Sequence, residues 1–256
     1  MLIDTHAHLY LDEFKEDLTT VLDNAKLIGV NKILFPAINS KHTADMVALQ
    51  NKYPNQIYLM AGLHPAYVSP ETMEEELQHV FDNLNKLNVK AVGEIGIDLY
   101  WEKNFLKQQQ QAFKTQIKWA KEKKLPIVIH CRDSFNEVFE ILEEEKDSNL
   151  KGVLHCFSGN EEEAKKAITY NLKLGIGGVV TFKNGKIADF LERIDLSHLV
   201  LETDSPYLAP VPFRGKRNES AYLNYVVEKL CTIYKKTPTE IAQITSSNAE
   251  EIFNLG

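Results

Sequence analysis

Eight short apolar runs, each followed by a stretch of helical periodicity, constrain the fold of this 256-residue chain more than any other feature. They are Leu2–Thr5, Lys32–Ala37, Ile57–Leu63, Ala91–Ile95, Ile127–His130, Gly152–His155, Lys173–Gly177 and Leu199–Thr203. The runs are nearly continuous in Val, Ile and Leu, as expected of strands buried on both faces of a parallel sheet. Helical stripes occupy the intervals: Phe14–Ile28, Glu71–Leu87 and Phe105–Lys123 each repeat apolar residues at three- and four-residue steps. Thr237-Pro238-Thr239-Glu240 reads as a helix start, with an N-cap threonine, a proline in the first turn and a glutamate that completes a capping box. Strict alternation of strand and helix predicts a parallel sheet. Eight units of about 32 residues match the roughly 250 residues of a closed barrel. No Gly-rich dinucleotide loop follows an early strand, which argues against an open doubly wound sheet. The expectation is an α/β fold, a (β/α)8 TIM barrel, forming a single domain over residues 1–256 with no linker or low-complexity stretch.

Composition narrows the function classes. Hydrophobic residues make up 44% and charged residues 25%, as in an ordinary folded protein rather than a disordered one. No apolar run is long enough for a membrane span, and Asp4 comes too early for a secretory leader, so a cytoplasmic location with no membrane partner is expected. Cys131, Cys156 and Cys231 are odd in number and lack CxxC spacing, which predicts neither a disulfide framework nor a zinc ribbon. A formal net charge of −7 argues against a broad nucleic-acid-binding surface while leaving room for a local basic site.

Five of the eight histidines, His6, His8, His64, His130 and His155, fall at the C-terminal ends of expected strands. In a βα barrel those ends share one mouth, where active sites are built. Glu94 and Asp204 end the fourth and eighth strands, so both carboxylates are expected at the same mouth. A lone strand-end histidine is ordinarily a hydrogen-bonding group. Several imidazoles and two carboxylates buried together need a compensating charge, which a metal ion provides. His6 and His8, two apart on a strand, leave the same face roughly 6.6 Å apart along the backbone and can converge on one ion.

The motifs DTHAHL at 4–9, GLHP at 62–65, GEIGID at 93–98, HCRD at 130–133, HCFSG at 155–159 and ETDSPYLAP at 202–210 stand in the order seen in the TatD family. The chain resembles these metal-dependent deoxyribonucleases, members of the amidohydrolase-like metal-dependent hydrolases, from Met1 to the segment ending at Phe253. Two departures, Leu99 and Ser220, touch no ligand position. The resemblance implies a TIM barrel with two divalent cations (Mg, Mn, Zn, Fe or Ni). His6, His8 and Asp204 would hold one, His130 and His155 the other, and Glu94 would bridge them. It also implies 3′ to 5′ removal of nucleotides from DNA ends, single-stranded by preference. Lys90 lies at the wrong end of the fourth strand to act as the carboxylated lysine that bridges metals in other amidohydrolases.

Paired cations activate water and neutralise charge on a phosphoryl oxygen, so a carboxylate such as Asp204 can orient and deprotonate that water. His64, not needed as a ligand, is expected to protonate the leaving oxygen or hold a phosphate. Glu202, two residues before Asp204, is placed to support the ligands. Arg132 and the cluster Arg214, Lys216 and Arg217 are expected phosphate contacts, because loops after strands seven and eight of a barrel often bind phosphate. Lys183 and Lys186 follow the seventh strand and extend the basic character. Tyr100, Trp101, Tyr207 and Phe213 lie in mouth loops, where they either stack on a base or pack beneath the loop. Cys131 and Cys156 each follow an expected ligand and are read as small buried hydrophobes on the opposite face. Ser158 and Asn160 before three glutamates predict a self-capped helix start. A small-molecule amidohydrolase or phosphoesterase, a D-aminoacyl-tRNA deacylase, or a barrel that keeps metal for stability would use the same residues. The basic residues at the mouth favour a phosphodiester. No obligate protein partner is expected.

Overall fold

A computed structural model describes residues 1–256. Its strands are β1 (Leu2–Asp4), β2 (Val30–Phe35), β3 (Ile57–Ala61), β4 (Val89–Asp98), β5 (Ile127–Arg132), β6 (Gly152–Leu154), β7 (Leu172–Ile176) and β8 (Leu199–Leu201). The helices are α1 (Leu18–Leu27), α2 (Thr43–Lys52), α3 (Met73–Lys86), α4 (Leu106–Glu122), α5 (Phe135–Glu144), α6 (Glu161–Thr169), α7 (Leu223–Tyr234) and α8 (Pro238–Phe253). Neighbouring strands pair in parallel in sequence order. Thr5 N donates to Leu201 O at 2.9 Å, Asp204 N to His6 O at 2.9 Å and His8 N to Ser205 O at 2.7 Å, so the first strand meets the last and the sheet closes. This is the expected (β/α)8 barrel.

Two apolar layers hold it. The outer layer packs strand residues such as Ile33, Val92, Ile95 and Ile129 against helix residues such as Val21, Leu22, Phe113 and Leu142. The inner layer joins Ile3, Leu34, Met60, Val128, Val153 and Val200 to Ile252 and Phe253 of α8. Helix α8 covers the N-terminal ends of the strands. Its Ser246 hydroxyl donates to Met1 O and its Asn248 amide to Leu199 O, while Lys32 and Lys90 reach Leu255 O and Asn254 O just beyond it. One end of the barrel is thereby sealed, and chemistry is confined to the other. The capping boxes expected at Thr237 and Asn160 are both present.

Two local departures matter for the site. Strand β4 runs on to Asp98, three residues past its expected end, and its register against β5 slips between Val92 and Ile95. The inserted residue acts as a bulge, which re-aims side chains. Val92 and Ile95 both pack in the outer layer, so the bulge lets Glu94 between them face the barrel axis. The second departure lies between β7 and β8, where strict alternation called for an α-helix. Residues 178–198 instead form four short 3-10 turns, Gly178–Thr181, Lys186–Asp189, Leu191–Arg193 and Leu196–His198. Glycines at 178 and 185 and the β-branched pair Val179-Val180 disfavour a continuous helix there.

Candidate metal centre

The open end of the barrel gathers His6 and His8 just after β1, His64 after β3, Glu94 and Asp98 on β4, His130 on β5, His155 after β6 and Asp204 after β8. Glu94 is the hinge of the arrangement, with its two carboxylate oxygens facing different groups. Oε2 lies 3.1 Å from His6 Nε2 and 3.6 Å from His8 Nε2. Oε1 lies 2.9 Å from His130 Nδ1, 3.2 Å from His155 Nε2 and 3.3 Å from His64 Nε2. Asp204 Oδ1 completes the first group at 3.4 Å from His8 Nε2 and 3.8 Å from His6 Nε2. Asp204 itself adopts a left-handed φ of 58°, a region that aspartate tolerates better than most residues.

Hydrogen bonding sets which imidazole nitrogens carry lone pairs. Tyr10 Oη donates its only proton to Pro36 O at 2.7 Å, so it accepts from His8 Nδ1 at 2.8 Å. The neutral His8 ring therefore turns a bare Nε2 toward the cluster. His155 Nδ1 donates to Glu202 Oε1 at 3.1 Å, which likewise leaves Nε2 bare in the neutral ring. His130 Nε2 donates to Asp98 Oδ2 at 2.8 Å, directing Nδ1 to Glu94. His64 is the opposite case. Its Nδ1 accepts from Ala66 N at 3.0 Å, so the neutral ring carries its proton on Nε2 and presents a donor to the pocket.

Charge is tightly coupled here. Burial alone would raise the Glu94 carboxyl, but His64, His155 and His6 around it hold it well below the ordinary range. Burial would also raise Asp204, and the His8 hydrogen bond with the nearby His155 and His6 reverses that. Burial favours neutral His6 and His64, and it wins over Glu94 in both. In His155 the flanking Glu94 and Glu202 overcome burial and hold its pKa well above that of a free imidazole. His130 is raised in the same way by Asp98 and Glu94.

These residues fit divalent cations. Bare imidazole nitrogens converge with ionised carboxylates, and the group His6, His8 and Asp204 lies within the span of one ion. Ligands about 2.0–2.1 Å from a tetrahedral ion stand about 3.3–3.4 Å apart. The His6, His8, Glu94 and Asp204 atoms sit 3.1 to 3.8 Å from one another where both are imidazole–carboxylate pairs. His6 and His8 place their Nε2 atoms 3.2 Å apart. His6 Nδ1, by contrast, is buried without a hydrogen-bond partner.

Supporting residues absent from the sequence reading are Asp98, Tyr10 and Asp4. Asp98 stands four residues after Glu94 in GEIGID, beyond the end expected for the fourth strand. Asp4 ties β1 to the segment after β8: its Oδ1 accepts from Thr203 N, and its Oδ2 accepts the Thr203 and Ser220 hydroxyls at 2.7 Å each. Burial pushes its carboxyl up to about 6 in spite of these donors. Glu202 takes the supporting place read for it, accepting from His155 and from Cys156 N at 2.6 Å.

The centre floors a pocket of about 680 Å³, within the usual range for ligand sites. Arg132, Arg214 and Lys216 line its mouth. Arg217 does not. It is turned away into a bidentate pair with Asp17, at 2.8 and 2.6 Å, over the Phe14 ring. The expectation of a phosphate contact there is corrected by a carboxylate that already occupies the fork. Tyr100 and Trp101 are exposed and carry the Arg132 guanidinium on their faces, whereas Phe213 stacks on Tyr222 at 4.3 Å. Cys131 packs against the outer apolar layer but is only partly buried. Cys156 lies past the end of β6, where strand alternation no longer applies; its left-handed backbone directs its N–H to Glu202. No helix is long and apolar enough to cross a membrane.

Comparison with known proteins identifies the family. The family model described as TatD related DNase matches residues 3–254. The uncharacterized metal-dependent hydrolase YabD of Bacillus subtilis (strain 168) is 38% identical over 256 residues, with 100% of each chain covered. The 3'-5' ssDNA/RNA exonuclease TatD of Pectobacterium parmentieri is 30% identical over 262 residues, covering 99% of this chain and 100% of that one. Among solved structures, the TatD homologue YjjV of Escherichia coli superposes with a TM-score of 0.91 at 31% identity, covering 99% and 98% of the two chains. The chain belongs to the TatD related DNase family, as one of its metal-dependent hydrolases.

Proposed function

We propose that this protein is a 3′ to 5′ exonuclease acting on single-stranded nucleic-acid ends through two divalent cations. The observation that carries this reading is the division of the Glu94 carboxylate, one oxygen to His6 and His8, the other to His130 and His155. His6, His8, Asp204 and Glu94 would hold one cation, and Glu94, His130 and His155 the second. When bound, such a pair lowers the pKa of water toward neutrality and neutralises charge developing on a phosphoryl oxygen.

The protein's own groups supply the rest. Asp204, kept ionised by its histidine neighbours, accepts a proton from the attacking water. His64 Nε2–H donates to the leaving oxygen or to a non-bridging phosphate oxygen. Arg132 and Arg214 at the mouth hold phosphate, and Lys216 adds a third cation. Polarity and the single-stranded preference are supported by the relative named as a 3'-5' ssDNA/RNA exonuclease.

The test is release of nucleotide from 3′-labelled single-stranded DNA in Mg²⁺ or Mn²⁺, with and without EDTA, by the wild type and by Glu94→Ala and Asp204→Ala. Metal-dependent release lost in both variants is expected. A wild type that releases nothing ends the nuclease reading, and release that survives both substitutions ends the assignment of these residues.

A further inference from the structure

The chain has four arginines, and they divide sharply. Arg193 and Arg217 are each locked to a carboxylate, Glu161 and Asp17. Arg132 and Arg214 have no carboxylate partner. Each instead lies on an aromatic face, Arg132 4.0 Å from the Tyr100 centroid and Arg214 3.6 Å from that of Phe182. Stacking of this kind holds a guanidinium flat and leaves its edge free to meet an oxyanion.

Phe182 and Arg214 also line a second concavity. It is a groove of about 1050 Å³ that shares these two residues with the metal pocket and is lined by the start of α6 and the turns after β7. It exists because residues 178–198 form short turns rather than the helix an eightfold barrel ordinarily places there. Its charge is arranged for an anion. Lys183 and Lys186 are exposed on its wall with no carboxylate partner. Of its three acids, Glu161 is bound by Arg193 at 2.6 Å and Lys165 at 2.7 Å, and Glu163 is spent on the Asn160 cap at 2.7 Å. The two acids without a cationic partner, Glu163 and Asp189, are outnumbered by Lys183, Lys186 and Arg214.

We propose that this groove is the track for the single strand behind the scissile phosphate, holding backbone phosphates on Lys183, Lys186 and the Arg214 guanidinium that Phe182 supports. The proposal rests on the nuclease reading of the metal pocket and adds to it a binding site outside that pocket. A chain of net charge −7 has little general attraction for nucleic acid, so a local row of cations must supply the hold. A strand longer than the pocket can accommodate therefore gains affinity here, and a very short one does not.

The test is fluorescence anisotropy of labelled dT10 and dT3 with the whole protein in EDTA, across a range of salt. Lys183→Ala/Lys186→Ala is expected to weaken dT10 about tenfold and leave dT3 unchanged. Loss of two phosphate contacts should flatten the slope of log K against log salt by about 1.4 for a single strand. Lys183→Arg/Lys186→Arg should restore dT10 binding. Equal dT10 affinity and slope in wild type and the alanine variant overturns the track. If the wild type still releases nucleotide from 3′-labelled DNA with metal, only the groove has failed; if it releases none and binds neither oligonucleotide, both readings fall.

Discussion

Asp98 Oδ2 accepts from His130 Nε2 at 2.8 Å, on the side of the ring away from Nδ1, which faces Glu94 at 2.9 Å. The buried Asp98 is itself fixed by Tyr100 N and Trp101 N, each 2.8 Å from its Oδ1. This relay would orient His130 as a ligand without being one itself. Carboxylates that brace a ligating histidine typically contribute 10–100-fold to metal affinity. Asp98→Ala is therefore expected to lower affinity for Mn²⁺ or Zn²⁺ by about that factor in calorimetric titration. Unchanged binding would show that His130 needs no brace.

His64 should separate from the ligands in a different way. Its Nδ1 is occupied by Ala66 N, so its contribution to the pocket is a proton rather than a lone pair. His64→Asn is expected to keep full metal content by elemental analysis while kcat on single-stranded DNA falls by about 10²–10⁴, the range for a positioned general acid. Metal content that drops by one ion per chain would make His64 a ligand instead.

The parts of this site legible in the sequence are those that follow from barrel geometry. His6, His8, His130, His155 and Asp204 converge because strands in a closed parallel sheet end at one mouth, a rule that needs only the strand positions. Glu94 was legible as a carboxylate of that mouth, but the bulge between Val92 and Ile95 that brings it there was not, since it depends on the register with β5. Arg217 was misplaced because its partner, Asp17, lies 200 residues away, and a run of basic residues carries no sign of such a pairing. The absence of a helix before β8 was not legible in the sequence for a related reason. Val180, Ile187 and Leu191 are buried there as apolar helix residues would be, and only packing distinguishes a chain of tight turns from a helix.

Gly175 carries Glu202 in its current position. A Cβ at Gly175 would stand 2.1 Å from Glu202 Oε2, inside any allowed contact, and that residue is buried. Gly175→Ala is expected to destabilise the fold by about 1–3 kcal/mol in urea unfolding, the usual penalty for overpacking. Adding Glu202→Ala removes the clash, so the double variant should be more stable than the sum of the two single effects. Simple additivity would place the strain elsewhere.

Glu161 gives a pH test of the groove wall. Its carboxyl is lowered from the ordinary 4.5 to about 2, first by the hydrogen bond from Arg193 and then by that from Lys165. A lowered carboxyl stabilises the fold fully above its ordinary pKa and loses that contribution as pH falls through the lowered one, here between about 4.5 and about 2. Carboxyl NMR should show the Glu161 midpoint near the lower value, moving upward in Arg193→Ala. Because that substitution also uncovers the Glu161 charge inside the groove, dT10 binding at pH 7 should weaken in the same variant. A midpoint indifferent to Arg193 would remove the pair from both arguments.

Metal removal should register as stability, since a ligand that binds only the folded chain adds about 2.7 kcal/mol when present at 100 times its Kd. For a chain of this size that corresponds to roughly 5–10 °C in Tm at 2–4 °C per kcal/mol. EDTA is expected to lower the wild-type Tm by about this amount. Glu94→Ala should abolish the difference between metal and EDTA, because the one carboxylate serves both groups of ligands. Asp204→Ala, which touches only the His6 and His8 side, should retain part of it. If the two variants respond alike, a single shared ion replaces the divided carboxylate as the better description of the centre.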